Sequence, residues 1–308
     1  MRIVFMGTPD FAVASLAALQ QAGKEIVGVV TAPDKPAGRG QKIQQSAVKR
    51  YAQAHQIPVL QPHKLRDPGF LEALRAWQAD LQVVVAFRML PEVVWDMPPH
   101  GTVNLHASLL PQYRGAAPIN HAIINGETES GVTTFLLQHE IDTGHILFSE
   151  KLSIGPNETA GELHDRMMVV GADLLVKTVQ AIDDGSVTPR PQDTLLEGVD
   201  LRHAPKIFKA DCEIDWAQPV AAVHNLVRGL SPYPTAYTLL DGKTLKVFRA
   251  TPEITQSPLV PGTYHSDGKT TLKYACLDGW LALDEVQLEG KKRMDVVGFL
   301  RGYRPKHI

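Results

Sequence analysis

Residues 81–108 read LQVVVAFRMLPEVVWDMPPHGTVNLHAS. The run LQVVVAF at 81–87 is apolar almost throughout, as in a strand buried on both faces, which is the habit of parallel sheets. A short helix over 91–95 follows, and then TVNLHA begins a second strand. Outward from this unit the same alternation repeats. RIVFM at 2–6 predicts a buried strand, GTPD a turn, and 11–22 a helix stopped by Gly23. EIVGVVT and PVLQP give two further strands, and a helix is expected near 69–78. Downstream come a helix around 117–125, the strands GVTTFLLQ and HILFSEKLSI, and a long helix over 159–184 with Thr159 as its N-cap. Strands separated by helices define an α/β, doubly wound, mostly parallel (Rossmann-like) sheet.

The strand that ends the opening stretch is unusual. Alternate residues of a strand share a face, so Val103, Leu105 and Ala107 lie on one side. Asn104, His106 and Ser108 lie on the other. Ligands of open α/β sheets sit outside the carboxyl ends of the strands. There an Asn-x-His pair sets a neutral NH₂ donor beside an imidazole that can move a proton. The bend after it, LLPQYRG, is fixed by Pro111 and loosened by Gly115. A histidine that moves protons needs an orienting partner. Asp142, in HEIDTGHI, is the best candidate, although Asp-Thr-Gly is equally a common structural turn.

The tail changes character. PTAYTLL, TLKVFRA, GTYHS, TLKYACL and WLALDEVQL are short strand-like runs punctuated by DG, PG, SDG and LDG, the pattern of a small antiparallel barrel. Three regions are expected: a first domain over 1–188, a linker over 189–205, and a small barrel domain over 206–308.

Composition is that of an ordinary soluble chain of 308 residues, 44% hydrophobic and 21% charged. No run reaches the roughly 18 apolar residues of a membrane span. MRIVFMGTPDF does not read as a signal peptide, and the cytoplasm is the expected location. Two cysteines make neither a disulfide framework nor a cysteine-rich zinc site, and the histidines lack metal-ligand spacing, so no metal is expected. The net charge of −2 is asymmetric: residues 1–200 hold 16 Lys/Arg against 22 Asp/Glu, residues 201–308 hold 15 against 11. GTPDFA lacks the glycines of a dinucleotide fingerprint. The stretch 31–50, TAPDKPAGRGQKIQQSAVKR, is longer than a connection needs and carries Lys35, Arg39, Lys42, Lys49 and Arg50 against Asp34. It reads either as a solvated loop or as an arm that contacts phosphates.

Together NLHASLLPQYRGAAPIN and EIDTGHI resemble the folate-dependent formyltransferases. The further stretches MGTPDFA and APDKPAGRGQK resemble the branch that acts on methionyl-tRNA. The resemblance implies a C-terminal OB-like β-barrel domain that binds tRNA. It implies transfer of a formyl group from 10-formyltetrahydrofolate to the α-amine of initiator methionyl-tRNA, with no metal, membrane or DNA, by a monomer. It places Asn104, His106 and Asp142 at the catalytic positions. Ser108, Leu109, Leu110 and Pro111 fall in the folate-contacting loop, and Lys35, Arg39 and Lys42 in the tRNA-contacting loop. Where many bacterial members have Ala-Tyr-Gly, this chain has Ala86-Phe87-Arg88, a departure shared with glycinamide-ribotide and amino-sugar formyltransferases. Phe87 and Arg88 are then expected at the folate pocket wall. The alternatives are a formyltransferase for a UDP-amino sugar and a non-catalytic folate- or RNA-binding module.

Overall fold

The computed structural model describes residues 1–37, 42–196, 200–255 and 259–305. Its larger sheet has seven strands, ordered Ile146–Ser153, Glu129–Leu136, Thr102–His106, Leu81–Val85, Arg2–Gly7, Glu25–Val30, Val59–Leu60. Arg2–Gly7 sits inside, parallel to both Glu25–Val30 and Leu81–Val85. Val59–Leu60 and Thr102–His106 extend the parallel pairing on either side. Glu129–Leu136 joins antiparallel to Thr102–His106. The chain therefore winds from Arg2–Gly7 to one edge, crosses back, and builds outward from Leu81–Val85. That is the doubly wound arrangement, with its crevice where the direction of building reverses. The central position explains the composition of these strands: Ile3, Val4, Phe5, Met6 and all of Leu81–Val85 are buried.

The helices end where chemistry ends them. Asp10–Gln21 is followed by Gly23 at φ +73°, the left-handed stop that glycine adopts without a Cβ clash. Ala160–Asp183 begins at a reciprocal cap: the Thr159 amide donates to Glu162 Oε2 at 2.8 Å, and the Glu162 amide to Thr159 Oγ1 at 3.3 Å. Within this helix, a Cβ on Gly171 would lie 2.9 Å from Leu105 Cδ2. Helix and strand thus approach closely on the apolar face of Thr102–His106, leaving the Asn104–His106 face for other use.

Two segments depart from expectation. Residues 31–50 are not one long loop. Lys35–Ala37 pairs antiparallel with Lys42–Gln44, and Ala47–Ala54 is a helix capped by Ser46 Oγ. Val48 and Ala52, one turn apart, form its buried stripe, a helical period obscured by the surrounding charges. The tail, besides its strands, contains the helices Val220–Leu230 and Val296–Gly302. Val220, Val223, Val227 and Leu230 recur at helical spacing and are buried.

By internal contacts the chain forms two compact units. One comprises 1–114, 131–152 and 165–202; the other comprises 115–130, 153–164 and 203–308. The second unit holds an antiparallel half-barrel, ordered Ala236–Leu240, Lys243–Glu253, Trp280–Leu288, Leu272–Ala275, Tyr264–Ser266. Its first hairpin turns through Asp241 and Gly242, both at positive φ as a two-residue turn requires. Trp216 stacks on Tyr274 at 4.4 Å within its core. Among the described residues no helix is long and apolar enough to cross a membrane.

Candidate active site

Asn104 and His106 lie at the carboxyl end of an inner strand. Asn104 is flanked in register by Val84 and Phe135, and His106 by Thr133. The Asn104 carboxamide is partly exposed and makes no side-chain hydrogen bond among the described residues. A donor held rigidly by its strand, with nothing local to bind, suits an incoming oxygen.

The His106 ring is 7% exposed. Its Nε2 lies 2.9 Å from the Tyr113 carbonyl. A carbonyl only accepts, so Nε2 carries the proton and the neutral ring presents its lone pair at Nδ1. Nδ1 faces Asp142 Oδ2 at 3.8 Å, beyond hydrogen-bond length but within ion-pair reach. The main chain of Tyr113 thus holds one ring nitrogen of His106 and the Asp142 carboxylate faces the other. Tyr113 is itself at φ +60°, which turns its carbonyl toward the ring.

Asp142 is buried at φ +56° in the turn Asp142–Gly144. Gly144 is obligatory there, because a Cβ would fall 1.7 Å from the Leu136 carbonyl oxygen. Gln192 Nε2 donates to the carbonyls of both Asp142 and Gly144, at 2.8 Å each. Sequence reading placed Gln192 in a linker. In the structure that segment is seated: Arg190 and Ile146 exchange two backbone bonds of 2.8 Å, and the Gln112 side chain bonds the main chain at Asp200 and Arg202.

The bend 108–113 is held from within. Ser108 Oγ donates to the Gln112 carbonyl at 2.6 Å, and Thr133 Oγ1 donates to the Ser108 carbonyl at 2.7 Å. The same Thr133 oxygen accepts the Leu110 amide at 3.2 Å, and the Leu110–Pro111 peptide is cis. Ser108, Leu110 and Pro111 are buried, and Leu110 packs on Phe135 and Ile146. Of the four loop residues expected at a folate, only Leu109 keeps a partly exposed side chain. Thr133 was missed because threonine in a strand reads as ordinary β-forming sequence.

After Leu81–Val85 the chain turns at Ala86, φ +48°, into Phe87 and Arg88. Arg88 donates to the His63 carbonyl at 3.0 Å and to the Pro62 carbonyl, lies over the Phe87 ring, and is pulled below its ordinary pKa by desolvation. It thereby ties the 62–63 segment to the end of Leu81–Val85. Beside it, Lys64, Leu65, Arg66, Met89, Leu90 and Pro91 line an open, mostly apolar cavity of about 410 Å³.

Of the residues expected to touch tRNA, Arg39 lies outside the described residues, as does the side chain of Lys42. Lys35 is exposed at the start of the hairpin. Lys49 is committed elsewhere: its Nζ lies 2.6 Å from Asp34 Oδ2, and this bond, with one from Gln61, holds the Asp34 carboxyl below its usual range. Among the described residues no group of three or more His, Cys, Asp or Glu side chains gathers to hold a metal ion.

The chain belongs to the formyl transferases: the family's model matches residues 1–179, and that of its C-terminal domain residues 206–304. Its relatives include the methionyl-tRNA formyltransferase of Bacteroides fragilis, 53% identical over 98% of this chain and 95% of that one. That of Parabacteroides distasonis is 54% identical over 99% and 96%. Among solved structures, a sugar 3N-formyl transferase with dTDP and 5-N-formyl-THF superposes with TM-score 0.68 at 18% identity, covering 95% of this chain and 99% of that one. HypX from Aquifex aeolicus in complex with tetrahydrofolic acid gives 0.66 at 19%, covering 100% of this chain and 49% of that one. These two likenesses are of fold.

Proposed function

We propose that this chain transfers a formyl group from 10-formyltetrahydrofolate to the α-amine of initiator methionyl-tRNA. The observation that carries the reading is identity above one half, along nearly the whole chain, to relatives named for that reaction. The residues fit the donor. The open, mostly apolar cavity lined by Arg88 and Met89–Pro91 supports a flat ring there, its wall braced by Arg88 through two carbonyls; on this reading the loop at Ser108–Pro111 meets the donor through its backbone and the partly exposed Leu109. Bound there, 10-formyltetrahydrofolate supplies a formyl carbon on a nitrogen leaving group.

The residues then divide the work. As the amine attacks, the formyl oxygen gains negative charge and accepts a hydrogen bond from the Asn104 NH₂. The amine must lose a proton and the departing nitrogen must gain one. His106 Nδ1, the ring nitrogen left unprotonated by the bond to Tyr113, takes the proton from the amine and hands it to the departing folate nitrogen, and Asp142 faces the transient charge at 3.8 Å. The segment 31–50 with Lys35, Arg39 and Lys42 contacts tRNA phosphates, and the domain over 206–308 is the second tRNA-binding region. Asn104, His106 and Asp142 all come from one chain, so the reading needs only a monomer. It involves neither membrane nor DNA, and it places the protein in the cytoplasm with its charged tRNA.

The test is an acceptor assay. With 10-formyltetrahydrofolate as donor, methionyl-tRNA becomes formylated and a UDP-amino sugar does not. Turnover of the sugar alone would overturn the reading.

A further inference from the structure

We propose that Gln192 is a positioning residue that sets the spacing of His106 and Asp142. The inference rests on the catalytic reading of that pair given above.

A primary amide is the neutral side chain with two donors and an acceptor oxygen of two lone pairs. Gln192 uses all four. Its Nε2 hydrogens go to the Asp142 and Gly144 carbonyls at 2.8 Å each. Its Oε1 accepts from Arg114 Nε at 3.1 Å and Nη2 at 2.7 Å. At 2% exposure, water cannot replace any of these partners. Arg114 directly follows Tyr113, whose carbonyl fixes the His106 ring. One amide therefore ties the segment that aims His106 to the backbone that carries Asp142. A non-glycine residue at φ +56° persists only where its surroundings hold it, and Gln192 grips that residue's own carbonyl. The bonds between Arg190 and Ile146 seat the clamp two residues earlier.

Gln192→Glu separates this role from packing. It keeps the size and both Arg114 bonds but turns an acceptor toward two carbonyls, so the donor half alone is lost. Misplacing a reacting group by about 1 Å can cost 10²-fold in rate. For Gln192→Glu in the full-length enzyme, kcat falls about ten- to a hundredfold on that scale. KM for both substrates stays within about twofold, and the pH profile of kcat changes shape, since the groups that titrate in turnover are no longer held together. Should Gln192→Glu fold poorly, Arg114→Lys loosens the same clamp from its other end and shows the same changes in smaller measure. A folded Gln192→Glu with the parent's kcat and pH profile overturns the inference. His106→Ala is run alongside. If it is inactive while Gln192→Glu is not impaired, only this inference falls; if His106→Ala retains full turnover, the catalytic reading falls and this inference with it.

Discussion

His106 and His224 are equally buried, each 7% exposed, yet the chain surrounds them in opposite ways. His224 lies on Val220–Leu230 among Val220, Val223 and Val227, and its charged neighbour is the Arg228 cation. Burial first, and Arg228 second, push its pKa down to about 4. No carboxylate or carbonyl is bonded to it among the described residues. His106 ends a strand, with a carbonyl fixing one ring nitrogen and a carboxylate facing the other. Burial alone makes an imidazole inert. Polar groups placed at both nitrogens suit His106 to the proton transfer proposed for it.

The contrast can be broken most forcefully at the strand. His106→Ala should lower kcat by about 10²–10⁴, the range for a positioned acid–base group, and Asn104→Ala by about 10²–10³. Steady-state kinetics with saturating methionyl-tRNA measures both, and a drop of less than tenfold in either would place the chemistry elsewhere. His224→Leu, by contrast, should leave kcat unchanged and alter only acid stability. Because the folded pKa is depressed, an unfolded chain takes up the proton more readily. Stability is full above pH 6.5 and is lost as pH falls from there through about 4. For a shift of that size the loss is on the order of 3 kcal/mol when complete. Urea unfolding between pH 7 and 4 checks it: the leucine variant should show a flatter acid limb than the parent, and an identical slope would refute the assignment. A purely structural polar group sets the baseline. Thr159→Ala removes one side of the helix cap and should cost about 1 kcal/mol in denaturant unfolding, with kcat unaffected.

Much of this was legible in the sequence because it is local. Strand alternation alone separated Asn104 and His106 from Val103 and Leu105, and the search for an orienting partner pointed to Asp142, which the resemblance to formyltransferases then placed among the catalytic positions. The helix Ala47–Ala54 was also locally encoded, by Ser46, Val48 and Ala52, but its charges drew the reading toward a loop. Gln192 was not legible at all. It stands far along the chain from Arg114 and Asp142, in a segment whose prolines and acids suggest a connector. Only folding brings its amide to those partners. Thr133 is a similar case, since nothing in a β-branched residue announces that its hydroxyl will tie the Ser108 carbonyl to the Leu110 amide.

The position of Gln192 in the chain has a consequence for synthesis and for engineering. On the proposed roles, Asn104, His106 and Asp142 leave the ribosome well before Gln192, so the nascent first unit would carry its chemistry before it could aim it. A fragment cut at residue 179, where the match to the N-terminal family model stops, would keep every reacting side chain and lose the clamp. A fragment that keeps the clamp therefore has to run at least to residue 202, the last residue of the first compact unit.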